Sequence, residues 1–404
     1  MNRTLGSTLL VSGTMIGGGM LAMPLTSAGM GFGFTFLLLI AIWALLTFAA
    51  LLFVEIYQTA DHDAGIGTLS AQYFGKAGRV ISTAVLMIFL YALLSAYVTG
   101  GGSLISGALD IADNDTMSKL TIVLFTLIFG AVVTIGTRST DGLNRLLFFI
   151  MLAAFVLVLI LLVPNIQFDN LLAMPIDTAL FISASPVFFT AFGFHGSIPS
   201  LNNYLGGNIK ALRFSIITGS LITLSAYILW QLSTHGVLSQ SSFLDILKTD
   251  PTLNGLVNAT LQATGSSTIA WVVRIFSALA LITSFLGVAL GLLDAIDDLL
   301  KRVFKTSANR LSLGLLTFLP PLLFALFYPQ GFVMALGYAG QMFAFYAVIL
   351  PAAIAWKARQ AHPNLPYRVG GGTAALIIVA ILGAIIVSIP LAIKAGYLPF
   401  VVGA

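Results

Sequence analysis

Residues 13–25 read GTMIGGGMLAMPL, and their reading decides the fold. They sit in a hydrophobic run from about residue 5 to 29, long enough for a bilayer, which takes about 20 apolar residues. Three consecutive glycines, Gly17 to Gly19, occupy its centre, and Pro24 follows. In a helix interior glycine costs about 1 kcal/mol against alanine and proline about 3. At membrane depth, interrupted backbone is tolerated only where protein buries it or where it lines a wet cavity. The run is therefore predicted to be a broken membrane helix.

The whole chain supports that setting. Of its 404 residues 58% are hydrophobic and only 8% charged, with a mean hydropathy of +1.03. Soluble domains carry about 25% charged residues, so this is an all-α integral membrane protein, read as one transmembrane domain over 1–404. Zero cysteines exclude disulfides, thiolate metal sites and cysteine catalysis. His62, His195, His235 and His362 show no ligand spacing, and no cofactor or nucleic-acid partner is expected. No P-loop is present, which leaves an ATP-driven pump without support. A membrane-embedded enzyme would want carboxylates or histidines clustered on neighbouring helices, and the spans carry almost none. Asp294, Asp297 and Asp298 face Lys301 and Arg302 at a helix end and are expected to pair locally. A channel, the third class, would show flux without saturation.

Eleven hydrophobic stretches can be traced, at about 5–29, 33–58, 80–109, 119–137, 143–163, 177–200, 211–235, 268–297, 311–327, 330–356 and 373–395. With the amino terminus inside, fourteen of the eighteen lysines and arginines become cytoplasmic. Lys119, Lys248 and Lys394 fall outside and Arg274 lies within span eight, where it is expected to snorkel to the outer interface. This asymmetry fits the positive-inside rule and puts the carboxyl terminus outside. Two connections have content. Residues 59–79 could form a short interfacial helix, and SSFLDILKT in the outer stretch 236–267 a short amphipathic one.

A second interrupted span answers the first. SPVFFTAFGFHGSIPS, residues 185–200, carries Pro186, Gly193, Gly196 and Pro199. If spans one to five and six to ten are two repeats (about 5–163 and 177–356, with 373–395 extra), the interruptions correspond. Paired broken helices point to a transporter's binding site, although glycines also permit close helix packing. A break frees amide N–H groups that suit a carboxylate and carbonyls that suit a cation. Two such breaks side by side cradle a zwitterion, and an α-amino acid is the small zwitterion of choice.

GTMIGGGMLAMPL, FTAFGFHGSIPS, TSFLGVALGLLD (283–294), the opening NRTLGS and FLPPLLFALFYPQGFVMALGYAG (318–340) resemble the bacterial hydroxy and aromatic amino acid permeases over nearly the whole chain. The resemblance implies eleven spans, ten of them in the inverted-repeat fold of sodium-coupled amino acid transporters, with helices one and six broken. It implies a bacterial inner-membrane permease, not an enzyme, importing an aromatic L-amino acid by proton symport. Tyrosine is the first expectation, with tryptophan or serine-type substrates as alternatives. In related sodium-coupled folds a hydroxyl pair such as Thr283 and Ser284 completes a cation site, which raises sodium as the competing ion. A bond to the preceding helical turn is the plainer role for those hydroxyls.

The candidate substrate-binding residues are Thr14, Gly17, Gly18 and Gly19 on span one, Tyr91 and Ser95 on span three, and Phe189, Phe192, Gly193, Phe194 and His195 on span six. Tyr338 and Gln341 on span ten are candidates for recognising a phenol. An intramembrane ionisable group is functional by default. His195 could bind substrate, relay a proton or cap freed carbonyls. Glu55 could carry a proton or pair with a loop arginine.

Overall fold

The computed structural model describes residues 2–62, 64–302 and 305–401, in which helices alternate with short connections and no strand occurs. Ten helices are long and apolar enough to cross a bilayer, and Arg3–Met15 with Gly18–Ser27, bent by 47°, makes the eleventh span. Span two is Gly31–Ile56, three Ile66–Ala108, four Asp115–Ile135 and five Thr137–Leu162. Span six comes in pieces, chiefly Ser185–Ala191 and Ile198–Tyr204, and span seven is Ile209–Val237. Spans eight and nine are Ser267–Arg302 and Arg310–Phe327. Span ten runs from Phe332 to Ala361 through a π-helical turn, Phe345–Ile349, just ahead of Pro351, and span eleven is Gly372–Lys394.

The connections are more ordered than expected. The interfacial segment is an extension of span three, set at an angle where Gly75 adopts φ 64°, a left-handed conformation that favours glycine. The outer stretch forms two helices, Gln240–Thr249 and Leu253–Thr264, where the sequence suggested one. Arg274 does not extend freely to the interface as expected. Its Nη2 donates to Asn254 Oδ1 at 2.9 Å, which ties span eight to the second of these helices. Lys301 pairs with Asp297 at 2.6 Å as anticipated, whereas the side chains of Arg138 and Arg302 lie outside the described residues.

Two groups of spans pack together. The first half of span one lies along span seven, and span two lies on spans six and seven. Spans three, four, eight and nine form the other group, with span ten against three and span five against eight.

Chain ends expected to share a face of the membrane meet. Arg310, opening span nine, donates to the Thr134 carbonyl at the end of span four at 3.1 Å. Arg213, opening span seven, stands 4.0 Å over the Tyr367 ring, and the Tyr367 backbone N–H donates to Gln58 Oε1, just past span two. The strongest tie is Glu55, fully buried at the end of span two. Arg359 grips it with two bonds, Nε to Oε1 at 2.6 Å and Nη2 to Oε2 at 2.8 Å, and the Val369 N–H adds a third at 2.9 Å.

Breaking a buried pair by removing one partner costs about 3–5 kcal/mol, because the other charge is left uncompensated. Arg359→Met should therefore lower the thermal midpoint of the detergent-solubilised protein sharply, and adding Glu55→Met should recover much of the loss. An unchanged midpoint in the single variant would mean that the pair does not hold these ends together.

Candidate functional site

In span one the helix stops at Met15, Ile16 is extended (ψ 103°), and the helix restarts at Gly18. The cause is local: glycine gives up least by leaving the helix, and here it also permits close approach. A Cβ on Gly17 would strike the Ser284 hydroxyl, and one on Gly19 would lie 3.0 Å from Ala191 Cα. The two broken spans therefore touch at their breaks. Gly18 N–H donates to Ser284 Oγ at 2.8 Å, and the Tyr97 ring covers Gly18. In span six the helix stops at Ala191, and a turn at His195–Ser197 leads into Ile198–Tyr204. Pro199 sits in the first turn of that last helix, where its missing N–H costs nothing.

The carbonyls of Met15 and Ala191 end the first halves of the two broken spans. Both point at one group, the Tyr227 hydroxyl of span seven, at 2.7 and 2.6 Å. A phenol has a single proton to donate, so two acceptors share it. The negative ends of two half-helices thus converge on one point. The positive N-terminal end of the second half of span one begins at Gly18.

One aromatic ring packs on this point, and a cluster of further rings lies along span six. Phe189, Phe192 and Phe194 are all buried. The Phe192 ring stands edge-on to Tyr227 at 4.9 Å, and Phe194 lies 4.7 Å from His195. Phe343 of span ten is 5.2 Å from His195, 6.4 Å from Phe189 and stacked on Phe89 at 5.1 Å. His195 itself is fully buried, with Nε2 at 3.0 Å from the Leu46 carbonyl. A carbonyl only accepts, so Nε2 carries the proton. Nδ1 is buried without a partner.

Gly17, Gly18 and Gly19 thus meet Ser284, Tyr97 and Ala191 at the break of span one, Phe192 meets Tyr227 beside it, and Gly193, Phe189, Phe194 and His195 gather on Phe343 and span two; the other candidates lie elsewhere. Thr14 is exposed and bonds the Leu10 carbonyl of its own helix at 2.7 Å. Tyr91 faces span nine, where its hydroxyl donates to the Leu316 carbonyl at 2.8 Å. Pro320 explains that contact, since it lacks the N–H that would otherwise satisfy Leu316. Ser95 bonds the Tyr91 carbonyl, Gln341 the Val387 carbonyl of span eleven, and Tyr338 is exposed. Neither span-ten residue reaches the breaks. Thr283 bonds the Leu279 and Ala280 carbonyls of its own helix, and Ser284 faces an amide rather than carbonyls. Glu55 is engaged by Arg359.

The sequence reading missed Phe343, Tyr227 and Trp230. A signal was available on span seven, where Ser215, Gly219, Thr223, Tyr227, Gln231 and His235 recur every fourth residue and are all buried. That stripe grips span one along its length. Ser215 bonds the Thr4 carbonyl at 3.2 Å, and Gly219 lets Val11 approach so closely that a Cβ would sit 2.6 Å from it. Trp230, beside the stripe, donates to the Met20 carbonyl at 3.2 Å. Gln231 and His235 meet the Ser27 hydroxyl at 3.3 and 2.9 Å.

Known proteins are similar to this chain in sequence. The model of the tryptophan/tyrosine permease family matches residues 1–390. Tyrosine-specific transport system 1 of Haemophilus influenzae is 70% identical over 403 residues, all of both chains. Tyrosine-specific transport system 2 of the same organism is 54% identical over 100% of this chain and 99% of its own. A tryptophan-specific transport protein of Pseudomonas aeruginosa is 32% identical over 94% of this chain and 92% of its own.

Tyr227→Phe keeps the ring and its contact with Phe192 but strips the hydroxyl from two buried carbonyls. An unsatisfied buried acceptor costs about 1–3 kcal/mol. The variant should show a clearly lower thermal midpoint, whereas Tyr204→Phe, at an exposed ring, should leave it unchanged. Equal midpoints for the two variants would deny Tyr227 its part in joining the breaks.

Proposed function

The chain belongs to the tryptophan/tyrosine permease family, and on that premise we propose that it imports L-tyrosine by proton symport with alternating access. The observation that carries this reading is the meeting of the two breaks, with carbonyl ends on one side and a helix N-terminus on the other. Gly18 N–H is already given to Ser284, so the next amide of that half-helix, at Gly19, suits the substrate carboxylate, and the second lone pairs of the Met15 and Ala191 carbonyls its ammonium group. Phe189, Phe192, Phe194 and Phe343 would enclose the ring, which favours edge-to-face and offset aromatic neighbours. Relatives at 70% and 54% identity are named for tyrosine, which supports that substrate over tryptophan or serine.

In this reading an inverted repeat relates spans one to five with six to ten and underlies alternating access. The packing is consistent with it: span one lies on seven as six lies on two, and span three on ten as eight on five. The orientation is the one the basic residues favour, amino terminus cytoplasmic and carboxyl terminus periplasmic in the bacterial inner membrane.

For the proton, the carrier in this reading is His195. Its Nδ1 lone pair is buried and idle, and a charge placed there needs a counter-charge. A substrate carboxylate arriving at the break would provide one, so proton and substrate would stabilise each other. Glu55 is less suited, because three donors already saturate it.

Uptake of radiolabelled L-tyrosine into proteoliposomes tests this. One proton driven by 100 mV and one pH unit can sustain accumulation on the order of 500-fold. We expect accumulation with an imposed proton gradient, independence of sodium, and displacement by tyrosine better than by tryptophan, phenylalanine or serine. His195→Gln should abolish accumulation and leave tyrosine exchange largely intact. Gradient-driven concentration by that variant, or a requirement for sodium, would defeat the coupling assignment.

A further inference from the structure

At the end of spans ten and eleven that the basic residues assign to the cytoplasm lies a cavity of about 350 Å³, away from the breaks. Trp356, Arg359, Gln360, Arg368, Thr373 and Leu376 line it, and no acidic side chain does. A second, apolar hollow of about 360 Å³ continues from it between the two spans, floored by Ala352, Ala353, Ala380 and Ala384. Trp356 and Leu376 belong to both, so the two form one site with a basic head and a greasy tail.

Each part restricts the occupant. Inside a bilayer an apolar hollow between helices takes hydrocarbon, which accounts for the tail. The head requires an anion. Arg359 is fixed in place, with Nε and Nη2 on Glu55 and Nη1 on the Gly372 carbonyl. Arg368 is exposed, and among the described residues its side chain bonds the His362 carbonyl, through Nη2 at 3.2 Å, and no carboxylate. Trp356, 40% exposed, marks the level where the polar part meets the apolar part, as tryptophans do at membrane interfaces. Basic pockets of this kind at the cytoplasmic ends of spans recognise anionic lipid headgroups.

We propose that this two-part cavity is a binding site for an anionic phospholipid, its phosphate at Arg368 and one acyl chain between spans ten and eleven. A lipid seated there rests on the arginine that holds Glu55, and so braces the joined ends of spans two, ten and eleven.

The test is tryptophan quenching by brominated lipids in the reconstituted full-length protein, with Trp356→Phe identifying the contribution of this site. Brominated phosphatidylglycerol should quench Trp356 at a roughly fivefold lower mole fraction than brominated phosphatidylcholine, the preference expected of one basic residue near the surface. Arg368→Gln should erase the preference, and Ala384→Phe, which fills the hollow without touching the head, should abolish quenching by both lipids alike. Soluble glycerol phosphate in excess should not relieve the quenching. Equal quenching by the two lipids, a preference that survives Arg368→Gln, or relief by glycerol phosphate would overturn the proposal; the last would mark a site for small anions. None of these readouts depends on transport, so failure here leaves the transport reading untouched.

Discussion

A bilayer offers no water to a carbonyl that has lost its helical partner, and this molecule breaks two helices at that depth. The Tyr227 hydroxyl, set between the Met15 and Ala191 carbonyls, is the response. It brings the ends of both first halves to one point, and so fixes where span one, span six and span seven meet. The aromatic wall follows from that meeting. Phe192 packs on the Tyr227 ring, and His195 hangs from the Leu46 carbonyl between Phe194 and Phe343. Take the hydroxyl away, and the two breaks have no common partner.

Much of this architecture is legible in the sequence because its determinants are local. Gly17–Gly19 and the Pro186–Pro199 stretch announce their breaks through backbone energetics alone. The lysines and arginines mark the loops because charge stays out of hydrocarbon. Side-chain roles are harder to read. In a span that is apolar all round, the faces toward lipid and toward protein look alike, so Tyr91, Thr14 and Gln341 could be placed on a helix but not aimed. Tyr91 shows what decides the aim: Pro320, more than two hundred residues along the chain, frees a carbonyl that the phenol then satisfies. Glu55 found its partner at Arg359 for a similar reason, since only the folded arrangement brings the ends of spans two and ten together.

Span seven is the exception, a place where side-chain direction was written in the sequence and overlooked. Residues four apart form a ridge inclined about 26° to the helix axis. The stripe from Ser215 to His235 therefore crosses span seven obliquely as it climbs. Span one bends by 47° at its break, and an oblique ridge can follow a bent partner where a straight one would lose it. The polar spacing and the bend fit each other.

Most of that grip falls on the main chain. Ser215, Tyr227 and Trp230 bond the carbonyls of Thr4, Met15 and Met20, and a carbonyl is the same whatever side chain it carries. Among the described residues the clamp reads side chains at Ser27, by hydrogen bonds, and at Val11, which packs on Gly219. Residues of span one other than Val11, Gly17–Gly19 and Ser27 can accordingly be exchanged without cutting the bonds that position the break. A family that diversifies its cargo needs such a division of labour, in which the walls of the site drift while the frame that opens it is inherited unchanged.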